Sequence, residues 1–407
     1  MLTLLPALLM LFAAVAVLAL RGVKSGFGIG WMVSVLSALA SWILVLSYRW
    51  LTPAPFILPD WLNLNGPALP LIFVWDEITW AYAFATASIL VGVLWTSPAR
   101  FESRSNPFTW SANLALGGVV LLATIANSPA AVLIFWGVID LAELLFMAAP
   151  LSSQRQSSPI VIAFSARVLG LLLGFAAFAV GSLDSPSFTL DTLPPQAGLL
   201  LLAAVGLRLG VLPLHLPFRE EGFARRGLGL TMRMAGPAAG LVILPHLPGG
   251  IIPASLEGAA LALLSLAALY GASRWALAVD EMEGRPFWII AAASAAVITA
   301  VKGAPEASLG WSLILLLGGS GLFLFSHRRP LYRLALLPAL LALSGLPFTP
   351  AGAAWGASAE AGFGVADLVT AMAHTFLLIG FVRHALRPGQ DPAGFEPWMR
   401  AAYLAGV

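Results

Sequence analysis

The chain has 407 residues, of which 59% are hydrophobic and only 10% are charged. A soluble domain carries about 25% charged residues, so no soluble core could bury this much apolar surface, and the natural solvent for the chain is lipid. Cysteine is absent, which excludes disulfides, thiolate metal sites, cysteine nucleophiles and cysteine-ligated iron–sulfur clusters. The net charge of +2 says little about partners, because the distribution of the charge along the chain matters more.

Apolar stretches that could cross about 30 Å of hydrocarbon recur along the chain with no long polar linker, which predicts a single transmembrane domain over 1–407. The stretches are continuous rather than alternating, so the predicted fold is an all-α polytopic membrane protein and not a barrel. About thirteen transmembrane helices are predicted, over 2–20, 27–47, 73–96, 109–126, 129–149, 159–182, 196–213, 229–247, 255–277, 286–302, 307–326, 331–346 and 364–386. The remaining segment, 387–407, is predicted to be a cytoplasmic C-terminal segment or a truncated last helix.

Basic residues are concentrated on one side of these spans. When the loops are assigned alternately to the two faces, sixteen Arg and Lys residues fall on one face and only Arg49 and Lys302 on the other. Cytoplasmic loops of membrane proteins are enriched in Arg and Lys, so this separation predicts that the N-terminus lies outside. The longest outer loop, 48–72, is rich in Pro and Trp and is expected to lie on the membrane surface.

Ionisable side chains inside the spans are the candidate functional residues, because a charge at mid-bilayer costs several kcal/mol, about 2.5–3.5 on insertion scales. Asp140 and Glu143 lie three residues apart in the fifth span, so they share one helix face. Arg167 and Arg208, in the next two spans, could reach them, and Arg233 lies in the eighth span. These residues could form an ion-pair chain that switches partners as protons pass, or a static network that locks the helices together.

Proline and glycine interrupt two of the predicted spans, over 208–217 and 345–350. The residues that carry these breaks are Pro213, His215, Pro217, Gly345 and Pro347. Broken membrane helices are tolerated where the freed carbonyl groups line a cavity or a water path. The alternative for the first break is that Pro213 simply ends the helix at the cytoplasmic face.

No motif of a soluble enzyme is visible in the sequence. Metal-ligand spacings, phosphate-binding or dinucleotide-binding glycine motifs and nucleophile motifs are missing, so no catalytic residue, metal or cofactor is predicted. Nucleic-acid binding is not expected, because the basic loop at Arg219, Arg225 and Arg226 is explained by membrane topology. His374, in the thirteenth span, could relay protons or satisfy a backbone carbonyl.

The spacing at the two breaks resembles the proton-conducting membrane subunits of respiratory complex I and of Mrp-type cation/proton antiporters. In that family the seventh helix carries a Lys, then Pro five positions later and His seven positions later, and Arg208, Pro213 and His215 keep this spacing. The family's twelfth helix ends in Gly-Leu-Pro, as residues 345–347 do here. The order of the matching segments is kept from about 74 to 356, and an outer N-terminus matches the family orientation.

Several ionisable residues of the family are replaced in this chain. The Glu of the family's fifth helix would fall at Gly137, and the nearest acid is Asp140, one turn later. The lysines of the seventh and eighth helices correspond to Arg208 and Arg233, and the ionisable residue of the twelfth falls near Trp355. The family core has fourteen helices, so the last one is missing or cut short here.

The resemblance implies a membrane subunit of a complex I-like or Mrp-like assembly that takes part in proton translocation coupled to electron transfer or cation exchange. It implies other membrane subunits and the lipid bilayer as partners, in a bacterial or archaeal-type cytoplasmic membrane. The chain would have no catalytic machinery of its own, although it could belong to a translocase such as an NADH–quinone oxidoreductase.

Three functional hypotheses stay open. Buried lysine can lose its proton but arginine effectively cannot, so a conducting subunit would use the acids of the fifth span with Arg208 and His215 as its polar axis. Alternatively, the chain keeps the fold without conducting protons and serves as a scaffold or docking subunit. The third hypothesis is a stand-alone secondary transporter, which would also have broken helices and charges near the bilayer midplane.

Overall fold

The computed structural model describes residues 1–20, 27–59, 70–99, 107–148, 154–184, 189–218, 226–326, 330–389 and 396–407, and these are almost entirely helical. The first eight helices are α1 (Leu5–Leu20), α2 (Phe27–Ser47), α3 (Glu77–Trp95), α4 (Pro107–Thr124), α5 (Pro129–Ala148), α6 (Gln154–Asp184), α7 (Pro195–Leu209) and α8 (Leu228–Leu241). The other eight are α9 (Ala254–Leu277), α10 (Glu281–Val301), α11 (Pro305–Leu313), α12 (Gly319–Leu324), α13 (Leu337–Leu343), α14 (Pro350–Glu360), α15 (Val365–Ala385) and α16 (Pro397–Gly406). A π-helical segment, Ile314–Gly318, joins α11 to α12 in one continuous span.

Eleven helical stretches among the described residues are long and apolar enough to cross a membrane, and each coincides with a predicted span. The two remaining predicted spans coincide with shorter apolar helices, Pro195–Leu209 and Tyr332–Leu343. The prediction of an all-α polytopic membrane protein is therefore confirmed. Some residues used to predict its orientation, including Arg219 and Arg225, lie outside the described residues.

Two helices occupy the centre of the bundle. α8 and α10 are buried over nearly their whole length, whereas only 22% of the α6 span and 28% of the α9 span are buried. α5 packs on α6 and α8, and α6 packs on α7. This arrangement brings the ionisable faces of α5, α6, α7 and α8 towards one another in the first half of the chain.

The loop predicted over 48–72 contains two short strands that the sequence pattern did not predict. β1 (Phe56–Leu58) pairs antiparallel with β2 (Leu71–Phe73), and Phe56 lies opposite Phe73. Residues 60–69 of this loop lie outside the described residues. Beyond β2, α3 begins where the Asp76 side chain accepts a hydrogen bond from the backbone N–H of Thr79 at 2.8 Å, as in an N-terminal cap.

The first predicted break, over 208–217, is present. α7 ends at Leu209 because Gly210 adopts φ 75°, the left-handed conformation that glycine reaches without steric cost. A side chain at Gly210 would also place its Cβ 2.5 Å from the carbonyl oxygen of His215. Gly210, and not Pro213, therefore ends the helix, and the predicted seventh span was too long at this end.

The second predicted break separates α13 from α14. Gly345 adopts φ 74°, and the Thr349 hydroxyl starts α14 by accepting a hydrogen bond from the backbone N–H of Gly352 at 3.1 Å. The sequence pattern left this region outside every span, so α14 is an element that the prediction missed. Its sequence is rich in Ala and Gly and only eleven residues long, which gives a weak hydropathy signal.

The last described helix, α16, has ten residues. It packs against α3. Tyr403 is fully buried, and its hydroxyl oxygen accepts a hydrogen bond from the backbone N–H of Ser326 at 2.6 Å. The contact with α3 is close, because a Cβ added at Gly92 would lie 2.7 Å from the carbonyl oxygen of Gly406.

This close approach predicts that Gly92→Ala destabilises the protein, because the new methyl group would push two backbones apart at a cost of about 1–3 kcal/mol. Gly258→Ala in α9 is the matched control, since a Cβ there meets no atom within 4 Å and helix propensity favours Ala by up to about 1 kcal/mol. Thermal unfolding of the purified protein in detergent should give a lower midpoint for the first variant only. Equal midpoints for the two variants would contradict the packing of α16 on α3.

Candidate functional site

Five charged side chains converge between α5, α6, α7 and α8. They are Asp140 and Glu143 from α5, Arg167 from α6, Arg208 from α7 and Arg233 from α8. All five are buried. We call this group the ion-pair cluster. The structure thus brings together five of the six polar residues that the sequence marked as a proton path or ion-pair chain.

Asp140 and Arg208 form a two-pronged ion pair. The Arg208 Nη1 donates to Asp140 Oδ2 at 2.6 Å, and Nη2 donates to Oδ1 at 2.9 Å. Such paired hydrogen bonds use the rigid fork of the guanidinium group, which lysine lacks. The guanidinium also lies 4.4 Å from the ring centre of Trp136, whose indole N–H donates to the carbonyl oxygen of Ala239 in α8 at 3.0 Å.

Glu143 is held by two arginines, one on each carboxylate oxygen. Arg167 Nη1 donates to Oε2, and Arg233 Nη1 donates to Oε1. The Arg233 guanidinium also lies over the ring of Phe218, 4.2 Å from its centre. A cation above an aromatic face is stabilised by the ring quadrupole, so Phe218 supports this charge from the opposite side.

Arg167 joins the two ion pairs into one cluster. Besides its contact with Glu143, its Nη1 lies 3.8 Å from Asp140 Oδ1. When all five groups are ionised, the three guanidinium groups and two carboxylates carry a net formal charge of +1. Arginine keeps its charge in proteins. The cluster therefore holds more positive than negative charge, and its carboxylates are the members that can bind a proton.

A pocket adjoins the cluster. It has a cavity volume of about 20 Å³ and is partly open to the surface, and both carboxylates line it together with Arg167 and Arg233. Apolar side chains of α5 and α6 complete its wall, among them Met147. This volume holds about one water molecule next to the carboxylates.

His215 lies apart from the cluster. Its ring is partly exposed, and Nδ1 lies 2.8 Å from the carbonyl oxygen of Pro213. Among the described residues it forms no ion pair with the cluster. Pro217 is buried on the same irregular stretch. The part of His215 in a proton path therefore stays a prediction.

The second break carries a buried histidine. His374 Nε2 lies 2.7 Å from the carbonyl oxygen of Leu343, the last residue of α13. Its Nδ1 accepts a hydrogen bond from the Trp355 indole at 3.0 Å. A neutral imidazole with its hydrogen on Nε2 satisfies both contacts. His374 thus satisfies a carbonyl freed at the break, which was one of its two predicted roles, and Pro347 lies in the same break.

Sequence reasoning missed a further ion pair and a buried cation. Lys302 was assigned to an outer loop, but its Nζ donates to both oxygens of Asp367 at 2.8 Å. Arg285 was assigned to a cytoplasmic loop, whereas α10 begins at Glu281 and buries Arg285 completely. Asp367, near the start of the thirteenth predicted span, is the sequence feature that could have suggested an ion pair with Lys302. The tenth span was predicted to begin at 286, five residues after α10 begins, and this placed Arg285 outside the span.

The geometry of the cluster predicts that breaking one of its buried ion pairs lowers the stability of the fold strongly. Arg208→Ala leaves Asp140 buried without its partner, which typically costs about 3–5 kcal/mol. Glu77→Gln, which breaks an exposed pair with Arg49, should cost about 0–1 kcal/mol. Thermal midpoints in detergent should fall strongly for the first variant only. The double variant Asp140→Ala/Arg208→Ala should cost less than the sum of its two single changes, and strict additivity would contradict the direct pairing.

Comparisons with known proteins fit this architecture. No family model matches the sequence, and a search of curated proteins finds no relative. A chain of the respiratory complex I from Thermus thermophilus with bound NADH superimposes with a TM-score of 0.77 and 20% identity, covering 99% of this chain and 93% of that one.

Two further structures superimpose over nearly the whole chain. A chain of the Mrp complex from Dietzia sp. DQ12-45-1b has a TM-score of 0.75 and 16% identity, with coverage of 99% of this chain and 49% of that one. A chain of the membrane-bound sulfane sulfur reductase, an archaeal respiratory membrane complex, has a TM-score of 0.73 and 16% identity, with coverage of 98% and 74%. The chain therefore has the fold that these membrane chains of complex I, the Mrp complex and the sulfane sulfur reductase share, as the resemblance predicted.

Proposed function

We propose that the chain is a membrane subunit of a complex I-like or Mrp-like assembly and takes part in moving protons across the membrane. The support is the fold that it shares with chains of such assemblies over 98–99% of its length. The buried ion-pair cluster, at the point where the sequence resembles the proton-conducting family, adds to that support. Other membrane subunits are the partners that this proposal requires.

One observation carries the proposal, namely the position of Arg167 between two carboxylates. Its guanidinium contacts Glu143 and lies 3.8 Å from Asp140. When Glu143 binds a proton, it loses the charge that holds Arg167, and Asp140 becomes the nearby anion in the cluster. Coulomb attraction between buried charges is strong, so Arg167 would then move towards Asp140. Loss of the proton would return it to Glu143.

In this scheme the carboxylates carry protons and the arginines carry only charge. Arginine does not give up its proton in proteins, so no arginine can serve as a relay. The pocket beside Glu143 provides an approach for water. His215 is assigned to proton exchange with water at the end of α7, because its ring is partly exposed and imidazole is a common proton shuttle.

A non-conducting scaffold is the second candidate function. The observation that favours it is that every cation of the cluster is an arginine already matched to a carboxylate, as expected for a static lock between helices. In addition, Trp355, at the position of an ionisable residue in the resembling family, donates its indole N–H to His374 and carries no charge. Proton flux separates the two functions.

The test uses the complex purified with its native partner subunits and reconstituted into liposomes. A potassium gradient with valinomycin drives proton entry, and a pH-sensitive dye inside the vesicles reports the rate. We expect Glu143→Gln and Asp140→Asn each to lower the flux at least tenfold, because each removes a proton-binding group of the cluster. Glu77→Gln, an exposed acid on α3, should leave the flux unchanged.

Folding has to be separated from function in this test. Asp140→Asn and Glu143→Gln complexes should still purify with the wild-type set of partner subunits, and Glu143→Asp, which keeps the carboxylate, should restore part of the flux. Unchanged flux in the assembled Asp140→Asn and Glu143→Gln complexes would rule out conduction through the cluster. Absence of flux in the wild type would support the scaffold function, and a chain that purifies alone would support the stand-alone transporter.

A further inference from the structure

A second small cavity lies between α3, α4 and α8 in the interior of the bundle. Its volume is about 10 Å³, and all the residues that line it are buried. None of these residues lines the pocket beside the ion-pair cluster, so the two cavities are separate. A volume of roughly 10–15 Å³ on this measure holds one water molecule, so the cavity has room for a single water and for nothing larger.

The hydroxyl group of Thr86 is the first sign of a ligand in this cavity. Thr86 lines the cavity from α3 and is only 7% exposed, yet its Oγ1 has no hydrogen-bond partner among the described residues. A threonine inside a helix often donates to the carbonyl oxygen four residues earlier, as Thr299 does to Ala295 at 3.0 Å. Buried polar atoms are nearly always hydrogen-bonded, so the Thr86 hydroxyl requires a partner from outside the chain.

A second hydroxyl group lines the same cavity from α8. Thr231 Oγ1 donates to Asn113 Oδ1 at 2.6 Å, and the Asn113 amide donates to the carbonyl oxygen of Thr109 at 2.7 Å. The only hydrogen of the Thr231 hydroxyl is therefore used, and its oxygen can only accept a further hydrogen bond. The cavity thus has a hydroxyl that can donate on α3 and one that can accept on α8.

The chemistry of the cavity wall selects water as the ligand. Both polar side chains are neutral, and no carboxylate lines the cavity to balance a cation. Thr86 lies near the middle of α3, where lipid offers no hydrogen-bonding group, so its hydroxyl has to be satisfied inside the protein. The other lining residues are glycine or apolar, namely Ile89, Leu90, Gly117, Val120, Met234, Ala235 and Ala238.

We propose that one water molecule binds in this cavity between Thr86 and Thr231. The Thr86 hydroxyl donates to the water, and the water donates to Thr231 Oγ1. The observed bonds through Asn113 to Thr109 complete a chain of hydrogen bonds that runs from α3 through α8 to α4. A bridging water of this kind satisfies buried polar groups that do not reach each other directly. The proposal does not depend on the proposed function.

X-ray hydroxyl-radical footprinting tests this inference on the full-length protein in detergent. The X-ray pulse splits bound water into radicals that modify the side chains next to it, and mass spectrometry locates the modified residues. Met234 lines the cavity and is only 2% exposed, so bound water should make it react several-fold faster than Met232, which is 1% exposed on the same helix and lines neither cavity.

Two variants of one residue provide the matched comparison. Thr86→Val keeps the shape of the side chain and removes the hydroxyl, so it should lower the reaction rate of Met234 to about that of Met232. Thr86→Ser keeps the hydroxyl and should leave Met234 reactive. Equal rates for Met234 and Met232 in the wild type would overturn the proposal, as would a Met234 rate that Thr86→Val leaves unchanged in monodisperse protein.

The thermal midpoint gives an independent readout with a predicted sign. With the water bound, Thr86→Val removes a satisfied hydroxyl and leaves the water short of a partner, so the midpoint should fall. Without the water, the same change removes a buried unsatisfied hydroxyl, so the midpoint should rise. Valine and threonine have similar helix propensities, so the shift reports on the hydroxyl. A higher midpoint for Thr86→Val would overturn the proposal.

Discussion

Buried charge has to be matched by opposite charge, and this constraint organises α5, α6, α7 and α8. An isolated ionised side chain in the membrane interior costs several kcal/mol, and five such side chains lie in these helices. Asp140 and Glu143 lie on one face of α5, so the arginines of the three other helices must turn towards that face. The ion-pair cluster and the packing of these four helices are therefore the same set of contacts.

The use of arginine gives this cluster a particular chemistry. Arg208 binds its carboxylate with two parallel hydrogen bonds and stacks on Trp136, and Arg233 stacks on Phe218. Lysine would keep the charge but would lose the fork and the stacking. Arginine fixes the geometry of the ion pair better than lysine does, but it cannot release a proton. Any proton chemistry of the cluster therefore belongs to Asp140 and Glu143.

The features that could be predicted from the sequence are those that depend on the local composition of the chain. Long apolar runs located the membrane helices, and charges inside those runs identified Asp140, Glu143 and their arginine partners, because both signals are local. The Gly210 helix end and α14 were missed, since a left-handed glycine and a short Ala-rich helix leave little trace in hydropathy.

Contacts between distant residues could not be read from the sequence in the same way. Lys302 meets Asp367 across 65 positions, and Asp191 meets His246 across 55. Sequence spacing does not encode these distances, which follow from how the helices pack.

Under the proposed function, Arg167 changes partner when Glu143 loses its charge. The most direct measurement is a cryo-electron microscopy structure of the Glu143→Gln variant in its assembled complex, compared with the wild-type complex. We expect the distance from Arg167 Nη1 to Asp140, 3.8 Å here, to shorten to a hydrogen bond of about 2.8 Å. An Arg167 side chain that stays in its wild-type position beside the neutral amide would contradict it.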